Sequence, residues 1–318
     1  MTNRVGLIIA AVLVVVLGVG MFFIIRGVPN SPTPATAANV LTKNELETPV
    51  TTVVPLPQSS CDAADAYQKG VLEYRANKEA FRLVNEIDPK ETPNAKLPVL
   101  SVSYLLAGAK CGQFNYHVRF LDQPLYILSG EQGNYLTAFQ AMSRAGYKQV
   151  LLDVGANRLD RAERISRAIV ILGWHIWNER VRVESSARGL DIIQTGLEGL
   201  AAVYRKQKNN AALEKVLDFS LAVDRAGRRM RDKMTKVTHT PNLWCPDLVR
   251  MAERDADKAW RIEAILRLGL ARWTSSSRAD RRVAGDLLAR LSDDPDAQIQ
   301  SAARRAEKFS RRDVHRMK

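Results

Sequence analysis

QVLLDVGANRLD, Gln149 to Asp160, is the stretch whose reading decides the fold. An apolar run that closes on an acid and a glycine reads in two ways. As a strand it would stop at a ligand loop, the glycine letting the backbone approach a bound molecule before a helix begins. It would then need buried parallel strands beside it, alternating with helices. As a helix it would end at Val154, with Gly155 as its cap, Asn157 opening the next helix and Asp153 a surface acid.

Its surroundings favour the helix. Downstream, Ile165, Ala168, Ile169, Leu172 and Ile176 recur on one helical face, and Leu190, Ile193, Leu197, Leu200 and Val203 on another. Leu213, Val216, Leu217 and Leu221 mark a third, and short polar connectors such as KQKNN predict antiparallel neighbours. In this downstream region only VRVE, Val181 to Glu184, offers even a short strand. Upstream, Tyr67, Val71, Tyr74, Phe81 and Val84 mark a helix that Asp88 and Pro89 should end; Leu97, Leu100, Tyr104, Leu105 and Gly108 mark another. Phe114 to Leu128 fits a short strand or an irregular connection, and a helix is predicted over Asn134 to Ala145 with Gly146 as its cap. The predicted class is mainly α, a body of helical hairpins or a solenoid-like stack.

The amino terminus carries a different signal. Val5 to Ile25, VGLIIAAVLVVVLGVGMFFII, has no charge, and as a helix would be about 32 Å long, enough for a hydrocarbon core of about 30 Å. A cleaved secretory signal competes, but its apolar region would be shorter, and the nearest small-residue site, Ala35-Thr36-Ala37, lies well beyond Ile25. The lipid bilayer is therefore the expected partner of Val5 to Ile25. Pro29 to Pro57 holds six of the thirteen prolines among Ser, Thr and Ala, which predicts a stalk. The expected organisation is an anchor over 1–28, a Pro/Thr/Ala-rich linker over 29–59 and a helical body over 60–318. The scarcity of basic residues between Arg26 and Lys43 places that body outside the cytoplasm of a single-pass protein.

The formal charge is +13, with 47 basic and 34 acidic residues. Arg225 to Lys236 carries six basic residues and one acid, and Arg304 to Lys318 seven against two, so both are candidate contacts for an anionic surface. Nucleic acid is disfavoured, because no aromatic interleaves the first run and only Phe309 the second. Cys61, Cys111 and Cys245 allow one disulfide; Cys61 with Cys111 is favoured, and the other two pairings stay open. The histidines, His117, His175, His239 and His315, stand at no metal-ligand spacing. Trp174, Trp177, Trp244, Trp260 and Trp273 are expected in the core rather than along a groove. No catalytic, cofactor or metal residues are assigned.

Three resemblances bear on function. Asp153-Val154-Gly155-Ala156-Asn157 is similar to the first motif of S-adenosylmethionine-dependent methyltransferases, but Leu159 stands where that motif has its last glycine. Glu184-Ser185, followed by Gly189-Leu190, resembles a lytic transglycosylase element, with too short a gap and no G-L-M-Q. Asp255 to Gly269 and Asp293 to Phe309 align at an offset of 39, pairing Asp255 with Asp294, Asp257 with Asp296, Trp260 with Ile299 and Ala264 with Ala303. This resembles HEAT repeats, whose period is about 40–47 residues. Trp260 and Gln300 depart from the usual small branched residue and arginine. The HEAT-like resemblance over 255–309 implies a scaffold that presents a groove to a protein partner. The expected function is membrane-anchored binding, with an anchored glycan-acting enzyme of the cell envelope as the alternative.

Overall fold

Residues 149–155 are helical, and the chain turns at Asn157, whose φ of 59° is left-handed. The computed structural model describes residues 46, 50–92, 95–116, 125–179, 183–238, 245–275 and 277–309. Helix makes up 79% of the structure, and no strand forms among the described residues. One isolated parallel bridge joins Asp62 to Gln113. The helices are α1 (Ala64–Ala76), α2 (Lys78–Glu86), α3 (Ser101–Gly108), α4 (Leu125–Gly155), α5 (Leu159–Glu179) and α6 (Val183–Gln207). They continue with α7 (Asn210–Thr238), α8 (Cys245–Arg254), α9 (Lys258–Thr274), α10 (Arg278–Leu291) and α11 (Ala297–Glu307).

The α5–α6 pair is the centre of the body. A Cβ on Gly173 would lie 2.6 Å from the Gly189 carbonyl oxygen, and one on Gly196 would lie 2.7 Å from the Val170 nitrogen. The two backbones therefore touch, and only glycine fits there. Around this contact Ile165, Ile169, Leu172, Ile176, Ile193, Leu197 and Leu200 are buried, as their helical spacing predicts. Burying each such side chain contributes about 1.5–3 kcal/mol. Helix α4 lies against both α5 and α6, α7 flanks α6, and α1 and α3 cover α4.

Several boundaries differ from expectation. The first upstream helix is two, broken at Asn77 (φ −131°, ψ 46°). Leu97 and Leu100 precede α3 instead of lying in it. Helix α4 runs through Gly146, which is no cap; a Cβ there would meet Leu105 Cδ1 at 2.8 Å and Ile169 Cδ1 at 3.0 Å, so this glycine admits α3 and α5. On α7 the buried side chains are Val216, Phe219, Val223, Ala226 and Met230, while Leu217 and Leu221 face outward. Val183 and Glu184 open α6 rather than a strand. The stretch expected as linker contributes to the core: Leu46, Val50, Val53 and Val54 are buried, residues 50–53 are helical, and the unit that holds them begins at Val40. Their spacing of four, three and one is helical, and no proline interrupts 50–54.

Cys61 and Cys111 are joined by a disulfide, with Cα atoms 4.9 Å apart, the favoured pairing. Beside it, Ala63 N donates to Gln113 O and Gly112 N to Ser59 O, binding the approach to α1 to the end of α3. Cys245 opens α8, and His117, His239, His315 and Trp244 lie outside the described residues. So does Val5 to Ile25; no described helix is long and apolar enough to cross a membrane.

The last four helices reproduce the aligned repeat in detail. Asp257 N donates to Asp255 Oδ1 at 3.0 Å, and Asp296 N to Asp294 Oδ1 at 2.9 Å. Asp257 Oδ1 then caps α9 through Ala259 N, as Asp296 Oδ1 caps α11 through Gln298 N, each at 2.9 Å. Arg261 Nη2 reaches Asp294 Oδ2 at 3.3 Å and Lys258 Nζ reaches Asp296 Oδ2 at 3.4 Å, linking one copy to the next. Trp260 belongs to the main core, where α9 meets α6, whereas its counterpart Ile299 belongs to a second core formed by α8–α11. The departure at Trp260 is thus the point where the first copy docks on the body.

Candidate functional site

The turn after α4 builds the site. Arg158 N donates to Asp153 O at 2.7 Å and Asn157 N to Val154 O at 3.2 Å, the paired bonds that close a helix around a left-handed residue. That residue is Asn157, not Gly155. The tight closure returns Arg158 over the last turn of α4, and α5 starts at once, carrying Arg161.

Asp153 is fully buried, 0% exposed, which corrects its expected place on the surface. Its Oδ1 accepts from Gln149 Nε2 at 3.0 Å and from Arg158 Nε at 2.8 Å; Arg158 Nη2 also lies 2.8 Å away. Its Oδ2 faces Arg161 Nε at 3.5 Å. A carboxylate taken out of water needs such partners. Asp153 thereby grips the Arg158 guanidinium and lies within ion-pair range of that of Arg161; both arginines are about half-exposed.

The guanidiniums and Gln149 form one side of a groove of about 540 Å³. The opposite side comes from the non-helical stretch 95–100 and from α3, through Leu97, Val99, Leu100, Val102 and Leu106, with Lys96 at its edge. Leu100 is 61% exposed. Among the described residues no acid and no aromatic lines the groove; three cations, Gln149 and Ser103 share it with aliphatic side chains. A second depression, lined by Asp160, Glu163, Arg164 and Arg167, holds two acids and two arginines. Glu163 Oε1 there accepts from Arg167 Nη2 and from the Tyr204 hydroxyl, so one acid and one arginine are paired with each other.

Other sequence candidates fall elsewhere. Glu184 is exposed in the first turn of α6, where a carboxylate complements the helix dipole; Ser185 and Ser186 are buried within that helix. Trp174, Trp177 and Trp260 are core residues, and Trp273 is partly exposed with Arg272 over its ring. His175 is buried against Tyr67 and Phe114, its ring stacked on Phe114 with centroids 5.6 Å apart. Burial pushes its pKa down to about 4, against the opposing effects of a hydrogen bond with the Cys111 backbone and the charge of Asp62. In the basic run on α7, Arg228 pairs with Asp224 and Arg231 with Asp191; in the C-terminal run Arg305 is buried, and residues 310–318 lie outside the described residues. Among the described residues no group of three or more His, Cys, Asp or Glu is placed to hold a metal ion.

No family model, curated protein or solved structure matches the chain.

Proposed function

We propose that this is a single-pass membrane protein, anchored through Val5 to Ile25, whose helical body stands outside the cytoplasm and binds another macromolecule. The groove carries the reading: a buried carboxylate pairs with two arginines beside aliphatic side chains, an arrangement suited to recognition. The Cys61–Cys111 disulfide supports an oxidising compartment, since such bonds persist mainly in exported proteins. The repeated caps of α9 and α11 support a HEAT-like stack, an architecture suited to scaffolding. The anionic-surface role of Arg225 to Lys236 is secondary, because two of its arginines are already paired with acids.

A photo-crosslinking amino acid in place of Leu100, in the full chain in intact cells, tests the binding role. The expected outcome is a discrete macromolecular adduct that the same probe at outward-facing Leu221 does not give. No adduct from Leu100, or the same pattern from both positions, contradicts it.

A further inference from the structure

We propose that the groove takes a short acidic and apolar peptide segment, its carboxylates against Arg158 and Arg161 and its aliphatic side chains against Leu97, Leu100 and Leu106. The inference rests on the reading of the chain as a binding module and names the chemistry of the partner.

Charge comes first. Among the described residues three cations, Lys96, Arg158 and Arg161, border the groove and no acid does, while Asp153 beneath them is paired with both arginines. Asp153 occupies Nε and one Nη of Arg158 and faces Nε of Arg161. The remaining guanidinium N–H groups form planar forks that match a carboxylate. Because Asp153 grips Arg158 at Nε and Nη2, little rotamer entropy of that side chain is lost when a ligand arrives.

The opposite wall selects among anions. Its aliphatic side chains, above all the exposed Leu100, favour a ligand that carries apolar groups beside its charge. No aromatic lines the groove among the described residues, which leaves out the stacking that a single-stranded nucleic acid uses. Backbone then separates a peptide from a lipid. Lys96, Leu97 and Val99 line the groove in a non-helical stretch, and their backbone groups have no hydrogen-bond partner among the described residues. A peptide main chain can pair with such groups, as in recognition by added extended segments. An acyl chain cannot, and would lie with one side against the cations.

The test uses the full chain in a non-ionic detergent and the fluorescence anisotropy of a rhodamine-labelled six-residue peptide of alternating leucine and aspartate. The expected result is saturable binding that weakens with salt, and none for the leucine–lysine counterpart. Arg161→Glu and Leu100→Glu should each weaken binding by about tenfold or more while the far-UV spectrum is retained; Arg161→Gln serves if the charge reversal prevents folding. Absence of binding, or binding that survives both substitutions, overturns the proposal. So does Arg161-dependent binding of dodecanoate without the peptide, which assigns the groove to a lipid-like anion. Peptide binding in detergent without a Leu100 adduct in cells removes the cellular role and leaves the groove chemistry standing; an adduct without peptide binding does the reverse.

Discussion

Asn157 and His175 are single residues whose surroundings make sharp demands. Asn157 sits at φ 59°, where a Cβ is strained and a short amide side chain is tolerated. Asn157→Ala is expected to cost about 1 kcal/mol and Asn157→Gly to be neutral or stabilising, both read from urea denaturation midpoints. His175, neutral in the core, gives a pH dependence of definite sign. Its folded pKa is depressed to about 4 from an ordinary value of 6.5. At neutral pH both states carry a neutral ring and stability is complete; as pH falls from about 6.5 to 4, the unfolded chain takes up a proton that the folded one refuses. Stability should drop by about 3 kcal/mol across that window and level off below it, and a His175→Gln chain should lack this component. The sequence exposed the turn but not the role of Asp153. Helical periodicity around Gln149 to Asp160 was readable, whereas burial of Asp153 depends on Arg158 folding back and on α5 bringing Arg161 alongside, both tertiary facts. Arginines five and eight residues after the acid were the available signal.

Helices α5 and α6 are defined by what they lack. Gly173, Gly189 and Gly196 let two backbones meet, and any side chain there must push them apart. Gly196→Val should destabilise by about 3 kcal/mol or more, seen as a lower thermal midpoint, while a change at exposed Leu217 should be nearly silent. The seven-residue spacing of Gly189 and Gly196 stood in the sequence. What it could not say is which partner fills the gap. The same limit explains α7, where an apolar run reads alike whether its leucines face the core or solvent. It also explains Gly146, which reads as a helix end and is a close approach. The C-terminal helices were the most legible element, because caps are local: the acids Asp255, Asp257, Asp294 and Asp296 act within two or three residues of themselves.

The whole molecule joins a main core, reaching from Leu46 to Trp260, to a second core over α8–α11. The Cys61–Cys111 bond closes a loop of about fifty residues in the first of these, and on loop-closure grounds should contribute about 4 kcal/mol. Reduction in dithiothreitol is expected to lower the urea midpoint accordingly; an unchanged midpoint would show that the bond constrains nothing. Composition and periodicity foretold a mainly helical body, but placed its beginning too late, since the prolines of the presumed stalk masked the buried Leu46, Val50, Val53 and Val54. The groove was invisible to sequence because its walls lie some fifty residues apart. The central claim, an anchored body carried outside the cytoplasm, is tested most directly by thiol labelling of a C245S chain in intact cells. With a membrane-impermeant maleimide, Cys61 and Cys111 should stay unlabelled until an impermeant reductant is added from outside, and then react. Labelling that waits for the membrane to be dissolved, or that needs no reductant, would contradict it.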